Sequence, residues 1–526
     1  MVERGRFYLL VFIFAPLTSI ESAKILTIIL IGGSHYMLFD EISHLLHESG
    51  HDVNMLVQLG NPRIKGFNYA GRNNSYQITT WSANEEYLTS FNKWFLEQQK
   101  LFLQGRETFS TFLDFMGHLA LQCEWIMGDA DLMNSLKGEQ FDIAVIDAFN
   151  PCSFLVAEKL GLHFVAVHGG NFWSWYLAGL PCPLSYVPAS FSLLTDHMEF
   201  WGRLKNSMMF LSSLVAERMI YAQFDKAIKT CFPAGSEPSL SELYLKAELS
   251  IYNTDFTLEF PRPLPPNVIY VGGLLSKPAK PVSQELEDFI LAAGENGFVV
   301  VTLGSMLSSV NLPLVLKEMN AAFSQLPQAV IWRHLHDHWP SDVHPAPNVK
   351  LVDWLPQNDL LGHPKARLLV THGGLNSLME AVYHGVPVIG IPLFGDQFDN
   401  MVRVEAKGLG LTIQASQLQA RELSDAMATV IGDKRYKTSA LTLSHIHRSH
   451  PFPTHQRLIR WINHILQLGG GNHLRPYGLQ LPWYQQYLID VILFLLVTVS
   501  MTMYIVIKIL KRAMGCLRRG GKMKEA

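Results

Sequence analysis

The residues best suited to chemistry stand in one stretch, residues 354–400, which reads WLPQNDLLGHPKARLLVTHGGLNSLMEAVYHGVPVIGIPLFGDQFDN. An apolar run typical of a buried strand enters Thr371-His372-Gly373-Gly374, where two glycines permit a tight turn and a close approach of backbone to a ligand. A helical pattern follows, with Gly385 as its predicted end. Unpaired N–H groups and the positive end of the helix dipole would face the turn, so the pattern predicts an anion site, with a diphosphate as the best candidate.

The flanks of this turn offer what a nucleotide sugar would also need. Trp354 has a flat face on which a base can stack, and Gln357 has an amide that can pair with a uracil edge. The Glu380 carboxylate can accept hydrogen bonds from ribose hydroxyls, and Asp396-Gln397 can hold sugar hydroxyls. Each feature alone is weak, because a lone HGG is typical of a helix cap or a turn. Their order and spacing together favour a nucleotide-sugar site.

A second group of candidates lies in the first 150 residues. His35 follows the first predicted strand and a glycine turn, and an imidazole can take a proton from an attacking hydroxyl. Asp147 ends the predicted strand 143–146, where its carboxylate could steady that imidazole. A histidine after a glycine turn also occurs for purely structural reasons, and Asp147 could equally cap a helix before Asn150-Pro151.

Residues 354–397 resemble the donor-binding signature of the UDP-glycosyltransferases, a family that includes the UDP-glucuronosyltransferases. The resemblance covers nearly the whole chain and is closest to the mammalian 3A subfamily, through the segments NMVRVEAKGLG, DKRYKTSA and HLRPYGLQLPWYQQYLIDV. It implies an α/β fold of the GT-B type, with two facing Rossmann-like domains, and transfer of a sugar with inversion. Two catalytic residues are implied by the motifs SHY and DAFNPC, namely His35 and Asp147.

The same resemblance implies a contact between each part of the donor and particular residues. These are Trp354 and Gln357 for uracil; His372, Gly374, Asn376 and Ser377 for the diphosphate; Glu380 for ribose; Asp396 and Gln397 for the sugar; and Ser305 as a further nucleotide contact.

Two positions bear on which sugar is transferred. Members that use glucuronate carry an arginine where this chain has Asn253, and the position two before Asp396, which varies with donor choice in the 3A subfamily, is Phe394. Without the arginine to pair a carboxylate, a neutral sugar is favoured. A bulky ring leaves little room for an N-acetyl group, so glucose or xylose is favoured, while N-acetylglucosamine and glucuronic acid stay open.

The elements that must position these residues alternate between strand and helix. A strand, glycine turn, helix and strand over residues 24–57 begin one doubly wound sheet, and a second alternation runs from Phe298 to about Leu468. Proline-rich segments near residues 261–281 mark the boundary between them. The predicted organisation is a signal peptide (1–22), an acceptor-binding domain (23–262), a linker (263–285), a donor-binding domain (286–470), a membrane approach (471–486), a transmembrane helix (487–507) and a basic cytosolic tail (508–526).

The two ends of the chain predict its compartment. Basic residues followed by the apolar run 7–17 are typical of a secretory leader, and the uncharged run 491–507 is long enough, with residues 487–489, to cross a bilayer. Lysines and arginines after this run place the tail in the cytosol. The ending KMKEA resembles a dilysine retrieval signal, although a basic tail could equally attract anionic lipid. A single-pass type I protein of the endoplasmic reticulum is predicted, with both large domains lumenal.

Lumenal residues would meet oxidising and glycosylating conditions. The sequon at residues 73–75 makes Asn73 a glycosylation candidate. Four of the five cysteines would be lumenal and could form up to two bridges, but their spacing indicates neither a disulfide framework nor a zinc site.

Other functions and metal sites fit the sequence less well. The net charge of −3 does not imply nucleic acid as a partner. Asp129-Ala-Asp131 resembles a metal-binding motif but falls in a helical region, which favours a cap, and His334, His336 and His338 would alternate along an extended segment without an obvious fourth ligand. The prediction is therefore a UDP-sugar co-substrate with no metal and no cofactor, and a small lipophilic acceptor. A ceramide-type lipid acceptor, a non-catalytic regulatory subunit, and homo- or hetero-oligomers stay open.

Overall fold

The structure is a computed structural model that describes residues 22–60, 75–170, 179–305, 307 and 312–522, without the side chains beyond residue 515. The predicted leader up to residue 21, the sequon asparagine Asn73 and the last four residues lie outside the described residues. The chain divides into two compact units, Met1–Asn472 and His473–Ala526.

The first half of the larger unit is built on a parallel sheet. Its seven described strands are β1 (Lys24–Ile29), β2 (Asp52–Leu59), β3 (Gln77–Ser82), β4 (Ile143–Asp147), β5 (Phe164–His168), β6 (Ser250–Tyr252) and β7 (Val268–Tyr270). They are ordered β3-β2-β1-β4-β5-β6-β7. The helices of this half are α1 (Ser34–Glu48), α2 (Glu85–Leu103), α3 (Phe109–Gly128), α4 (Ala130–Gly138), α5 (Pro151–Leu160), α6 (Phe200–Cys231) and α7 (Leu240–Lys246).

The second half repeats this plan with six described parallel strands. These are β8 (Phe298–Thr302), β9 (Ala329–Arg333), β10 (Val349–Val352), β11 (Ala366–Thr371), β12 (Val388–Gly390) and β13 (Gly410–Thr412). Their order is β10-β9-β8-β11-β12-β13. The helices are α8 (Gln284–Ala292), α9 (Pro313–Phe323), α10 (Gln357–Leu361), α11 (Leu375–His384), α12 (Gln397–Ala406), α13 (Ala420–Gly432), α14 (Lys434–Arg448) and α15 (Thr454–Leu468).

The central strands are apolar on both faces because helices cover both sides of each sheet. All five residues of β8 are buried, and two separate hydrophobic clusters flank the second sheet, one containing Val299 and Val301 and the other containing Phe298 and Val300. This is the pattern expected of a fully covered parallel sheet, in which alternate side chains enter opposite cores. The predicted α/β architecture of two Rossmann-like sheets is confirmed.

Each sheet reverses its strand order at one point, and the candidate residues lie there. In the first sheet β1 lies between β2 and β4, so the chain runs outward on both sides of the β1–β4 pair. In the second sheet β8 lies between β9 and β11 in the same way. Ligands of open α/β sheets bind beyond the carboxyl ends of the strands at such a point, because the diverging connections leave a crevice there.

Two segments that were not predicted to belong to the first half are associated with it. Strand β7 belongs to the first sheet although it lies within the predicted linker. Helix α15 returns to the first half, where Asn463 Oδ1 lies 2.8 Å from Nε2 of His51. The boundaries given above therefore stay predictions.

The helical composition from residue 192 onward does not produce a helix until Phe200, because the backbone at Phe191 and Leu193 is left-handed (φ 62° and 54°) and so cannot continue a helix. One local expectation is wrong. The histidine triplet does not lie on an extended segment, because His336–His338 form a 3₁₀ turn after β9.

One disulfide and one apolar helix complete the described structure. Cys123 of α3 is bonded to Cys152 of α5, while Cys182 and Cys231 are free thiols. In the smaller unit, α16 (Trp483–Gln486) precedes α17 (Ile489–Lys522). Within the described residues, Ile489–Gly515 is the one candidate membrane span, with a mean hydropathy of 2.3. A C-terminal single-pass anchor is therefore indicated by length and composition.

Candidate active site

A cavity of about 610 Å³ opens at the strand-reversal points of both sheets. It is lined by twelve of the fourteen residues predicted for catalysis, donor binding and sugar choice. Those residues are His35, Ser305, Trp354, Gln357, His372, Gly374, Asn376, Ser377, Glu380, Phe394, Asp396 and Gln397. The other two, Asp147 and Asn253, lie directly behind the wall and contact His35 and Asn376 respectively. The fold thus brings residues more than 300 positions apart into one site.

His35 and Asp147 form a pair at the reversal point of the first sheet. His35 lies in the first turn of α1, and Asp147 is the last residue of β4. Nδ1 of the imidazole lies 3.2 Å from Oδ1 of Asp147, which also accepts the N–H of Phe149. Asn150, and not Asp147, caps α5 through its side chain. With Nδ1 directed at the carboxylate, Nε2 is the nitrogen available to the cavity.

The surroundings of His35 favour the protonated imidazole. Burial is the largest influence and lowers its pKa, but the charge of Asp147, its hydrogen bond and the charge of Asp396 together raise the pKa above the usual value. Gly169 lies flat against the ring, and a Cβ atom there would come within 3.2 Å of Cε1. The imidazole is therefore fixed in orientation by a carboxylate on one side and by backbone on another.

The glycine turn of the second sheet takes the predicted form. Gly373 has a positive φ of 84°, α11 begins directly after Gly374, and Gly385 ends the helix in the left-handed region. No side chain caps the first turn, so the N–H groups that have no acceptor within the helix are directed at the cavity. A Cβ at Gly374 would lie 2.5 Å from Nε2 of His372, so only glycine fits beside that ring.

The His372 imidazole is held neutral. Burial is the main cause and the nearby Arg333 guanidinium adds to it, so that the pKa of His372 falls to about 4. Near neutral pH this ring can donate one N–H to an anion without carrying a charge itself. The positive charge on this side of the cavity belongs to Arg333, which ends β9.

The residues predicted for uracil and ribose lie just before α10, at its start and in the middle of α11. The half-exposed Trp354 ring lies over the guanidinium of Arg333, whose central carbon is 4.6 Å from the ring centre. Nε2 of Gln357 donates to Ser377 Oγ at 3.0 Å and also to the Glu380 carboxylate. Burial raises the pKa of Glu380 to about 8, against the opposing effects of Gln357 and Lys277. The amide of Gln357 and the carboxyl group of Glu380 are therefore linked to each other.

The residues predicted for the sugar lie at the start of α12 and in the loop before it. Oε1 of the buried Gln397 accepts the N–H groups of Leu393 and Phe394, which leaves its Nε2 as a donor. Oδ2 of Asp396 accepts a hydrogen bond from Asn400 at 2.7 Å. Burial raises the pKa of Asp396, although Asn400 and nearby cations act in the opposite direction. The Phe394 ring lies 5.0 Å, centre to centre, from that of Phe102 in α2, so it is held in place from the first half.

Asn253 has a structural partner in this arrangement. It is almost fully buried behind the wall, and its Nδ2 donates to Oδ1 of Asn376 at 2.7 Å. The side chain thereby fixes the orientation of a residue in the first turn of α11. A neutral amide at this place offers no positive charge to a sugar carboxylate.

The first half covers the remainder of the cavity with aromatic side chains from α2, α3 and the loop after β4. These apolar lining residues are Trp94, Phe95, Phe102, Phe112, Phe115, Met116 and Phe149. A pocket of this composition suits the apolar body of a lipophilic molecule placed next to His35.

The residues considered as metal ligands do not line this cavity. Asp129 caps α4 by accepting the N–H of Leu132, as predicted for a cap. In the part of the chain that the structure describes, one cluster of metal-ligand type is present, formed by Asp255, His447 and His450. The guanidinium of Arg457 lies 3.6 Å from Asp255, and none of these residues lines the cavity.

Two residues of the site were missed from the sequence. Arg333 gives no local signal except its place at the end of a buried strand. Glu107 follows α2 in a loop of the first half and accepts the N–H of Gly395 at 3.3 and 3.2 Å with its two carboxylate oxygens. No spacing in the sequence relates Glu107 to a glycine 288 positions away.

The family description "UDP-glucoronosyl and UDP-glucosyl transferase" matches residues 23–523. A similar protein is human UDP-glucuronosyltransferase 3A2, with 51% identity over 96% of each chain. Human 2-hydroxyacylsphingosine 1-beta-galactosyltransferase is 35% identical over 90% of this chain and 85% of its own length.

The fold is also that of solved glycosyltransferases. A UDP-glucosyltransferase from Polygonum tinctorium, solved in a complex with 3,4-dichloroaniline, superposes with a TM-score of 0.56 at 17% identity, covering 85% of this chain and 99% of that one. This likeness shows the GT-B fold alone, whereas the match over residues 23–523 and the closely similar relatives show the family. The chain therefore belongs to the UDP-glucuronosyl and UDP-glucosyl transferase family and is a glycosyltransferase enzyme.

Proposed function

We propose that this enzyme transfers a neutral sugar, a hexose or a pentose, from a UDP-sugar to a hydroxyl group of a small lipophilic acceptor. The observation that carries the proposal is the position of the His35–Asp147 pair on the same cavity as the uncapped start of α11. A base for the acceptor and a site for the leaving diphosphate thus face each other across one space. Glucose and xylose are the favoured sugars, ahead of N-acetylglucosamine and glucuronic acid.

In the proposed reaction Nε2 of His35 removes the proton of the acceptor hydroxyl. The acceptor oxygen forms a bond to the anomeric carbon while the bond from that carbon to the β-phosphate oxygen breaks, so that UDP leaves with the bonding electron pair. Because attack occurs opposite the diphosphate, the anomeric configuration is inverted. Asp147 stabilises the imidazolium that forms, as in other histidine–carboxylate pairs.

The proposed donor contacts follow the cavity from one end to the other. Trp354 and Gln357 take uracil, Glu380 takes ribose, and Asp396 with Gln397 takes the sugar. The diphosphate lies at the start of α11, with Gly374, Asn376, Ser377, His372 and Ser305 around it. Arg333 adds a positive charge beside His372, which supports an anion at this place.

A donor screen tests the proposal directly. The purified full-length enzyme in detergent, with a phenolic acceptor, should release UDP fastest from UDP-glucose or UDP-xylose. NMR of the product should show a β-linkage formed from an α-linked donor. A product that retains the α-configuration would contradict in-line attack assisted by His35. Dominant transfer of N-acetylglucosamine would contradict the sugar assignment.

The diphosphate site, as proposed, is complete without a metal ion. The start of α11 and the Arg333 guanidinium supply the positive potential that a divalent cation provides in other transferases. Turnover should therefore persist after dialysis against EDTA. Loss of activity that magnesium or manganese restores would contradict this part of the proposal.

A lipid acceptor is the second candidate. It is favoured by the similarity to a 2-hydroxyacylsphingosine galactosyltransferase and by the candidate membrane span Ile489–Gly515. Ceramide presented in vesicles belongs in the acceptor panel, where faster turnover than with phenols or bile-acid-like alcohols would make it the preferred class. A regulatory subunit without activity is disfavoured because the His35–Asp147 pair is intact.

We further propose a location in the membrane of the endoplasmic reticulum, with the larger unit in the lumen and the tail in the cytosol. The apolar helix, the basic residues that follow it and the disulfide between Cys123 and Cys152 support this orientation. Protease treatment of intact microsomes should remove only a tag placed at the C-terminus. Glycosidase treatment should shift the mass of the wild type but not of Asn73→Gln.

A further inference from the structure

We propose that Glu107 is a specificity residue that excludes sugars bearing a carboxylate from the donor site. This inference rests on the proposed function, because it concerns which UDP-sugar the same cavity accepts. It adds a residue from the first half of the molecule to a subsite formed by the second half.

The position of Glu107 places its carboxyl group at the sugar end of the cavity. Both of its oxygens accept the N–H of Gly395, which stands between Phe394 and Asp396. Glu107, Asp396 and Gln397 all line the cavity. Burial raises the pKa of Glu107, and the nearby charge of Asp396 adds to this rise. Two acidic side chains from opposite halves therefore face the place of the sugar.

The positive charges of the cavity lie elsewhere. Among the described lining residues, the lysine and arginine side chains are Lys277 and Arg333. Arg333 lies against Trp354 at the base end. Lys277 lies 3.9 Å from Glu41, and its charge lowers the pKa of Glu380 at the ribose position.

Two other positive groups near the sugar end are already paired. Arg403 lies behind Asp396 and does not line the cavity; its Nε is bonded to the buried Glu259 at 3.0 Å. His35 is paired with Asp147.

These charges distinguish neutral from anionic sugars. A glucosyl or xylosyl group can donate its hydroxyl protons to the oxygens of Glu107 and Asp396, which improves binding. A glucuronosyl group brings a carboxylate close to the carboxyl group of Glu107, and when that group is ionised the two like charges repel each other in a site of low dielectric. The asparagine at position 253 supplies no compensating charge. Removal of one carboxylate should therefore weaken the exclusion.

The test is a binding comparison on the full-length enzyme in detergent at pH 8. Burial, the largest cause, raises the pKa of Glu107 to about 7, so the group is mainly ionised at that pH. Dissociation constants for UDP, UDP-glucose and UDP-glucuronic acid are measured by titration calorimetry for the wild type, Glu107→Gln, Glu107→Asp and Glu97→Gln. Glu97 is an exposed residue of α2 that pairs with Lys100, and it is the matched control.

In Glu107→Gln the affinity for UDP-glucuronic acid relative to UDP-glucose should rise about tenfold, as expected for the loss of one nearby like charge. Glu107→Asp keeps the charge and should retain most of the discrimination, and Glu97→Gln should match the wild type. UDP lacks the sugar, so its affinity should be the same in all four proteins.

If Glu107→Gln and the wild type had the same affinity for UDP-glucuronic acid relative to UDP-glucose, the inference would be overturned. It would also be overturned if Glu107→Gln and Glu107→Asp changed this ratio equally, because that result would show that Glu107 acts through packing and not through its charge. Because the measurement is of binding, it is separate from the proposed reaction. Failure of the reaction would appear as absent sugar transfer by a protein that still discriminates between donors.

Discussion

The two ends of the donor cavity are built in different ways. The proposed base and diphosphate end comes mainly from one continuous stretch, residues 354–380, in which β11, the glycine turn and the first part of α11 follow each other directly. Ser305 and Arg333 add to it from elsewhere in the second half. The proposed sugar and acceptor end is assembled from both halves, with His35 and Glu107 from the first half, Asp396 from the second, and Asp147 behind His35. Nucleotide binding should therefore depend on the second half, while reaction and sugar choice should depend on contacts across the cavity.

This difference has a physical basis. A diphosphate needs unpaired N–H groups and a helix dipole, which a single strand–turn–helix unit provides by local geometry. A transferred sugar must meet a base on one side and a leaving group on the other, so its site needs walls from two bodies. Mutations at the two ends should thus separate into effects on binding and effects on turnover.

The largest effect is expected from His35→Ala. Removal of a general base commonly costs 10²- to 10⁴-fold in rate, so kcat should fall by about a thousandfold with little change in the affinity for UDP. Steady-state kinetics and calorimetry on the same preparation measure both. His44→Ala, at a partly buried histidine of the same helix whose ring pairs with Glu48 and does not line the cavity, is the control. Unchanged turnover would exclude His35 as the base.

At the other end, Glu380→Ala should reduce the affinity for UDP about tenfold or more. The carboxyl group of Glu380 is hydrogen-bonded to Gln357. Its removal would leave the ribose without the proposed hydrogen bonds, each worth about 1–2 kcal/mol. Calorimetry with UDP measures the loss, and kcat at saturating donor should change far less. Glu422→Ala, on the exposed face of α13, provides the comparison. An unaltered affinity would remove Glu380 from the nucleotide site.

The pH dependence of kcat/KM should show whether the His35–Asp147 pair acts as the base. A base must be unprotonated, so kcat/KM should fall as the pH decreases through the pKa of His35. That pKa is raised above its usual value by Asp147 despite the opposing effect of burial. In Asp147→Asn the raising influence is lost, and the acidic limb should move to lower pH by about one unit, with a lower maximal rate. A pH–rate profile measures this shift. A limb that stays in place would indicate another titrating group.

The smallest effect is expected from Phe394→Asn. Loss of the ring opens space beside Phe102 and adds a polar group, so the preference for UDP-N-acetylglucosamine relative to UDP-glucose should rise about threefold to tenfold, as is typical for a change of one pocket contact. Competition between the two donors, with products separated by mass, provides the ratio. Leu393→Met, a buried neighbour of similar volume, is the control. No change in the ratio would show that this ring does not limit the sugar.

The parts of the fold that could be predicted are those with a local cause. The strand at residues 298–301, the start of α11 and its end at Gly385 follow from apolar runs and glycine positions, and they lie where predicted. The late start of α6 at Phe200 could not be predicted, since the composition from residue 192 is that of a helix. Contacts with a distant element decide it: the carboxylate of Asp399 accepts the N–H groups of Phe191 and Leu193.

The site shows the same division. The pairing of His35 with Asp147 could be expected because both follow strands of one sheet, and the carboxyl ends of parallel strands share an edge. Asn253 was predicted only from its alignment with an arginine, and its bond to Asn376 appears only in the folded chain. The residues that line the acceptor pocket could not be predicted from the sequence, because an aromatic residue on a helix is suited both to a core and to a cavity wall.

The family, the α/β class and the glycine turn before α11 could be read from the sequence alone, because each depends on residues that are neighbours along the chain. Only the folded chain shows that Glu107 contacts Gly395, that Arg333 lies beside His372 and that aromatic rings of α2 and α3 line the cavity. These contacts join segments up to 288 residues apart, and their geometry is set by how the two sheets pack and not by any local preference of the backbone.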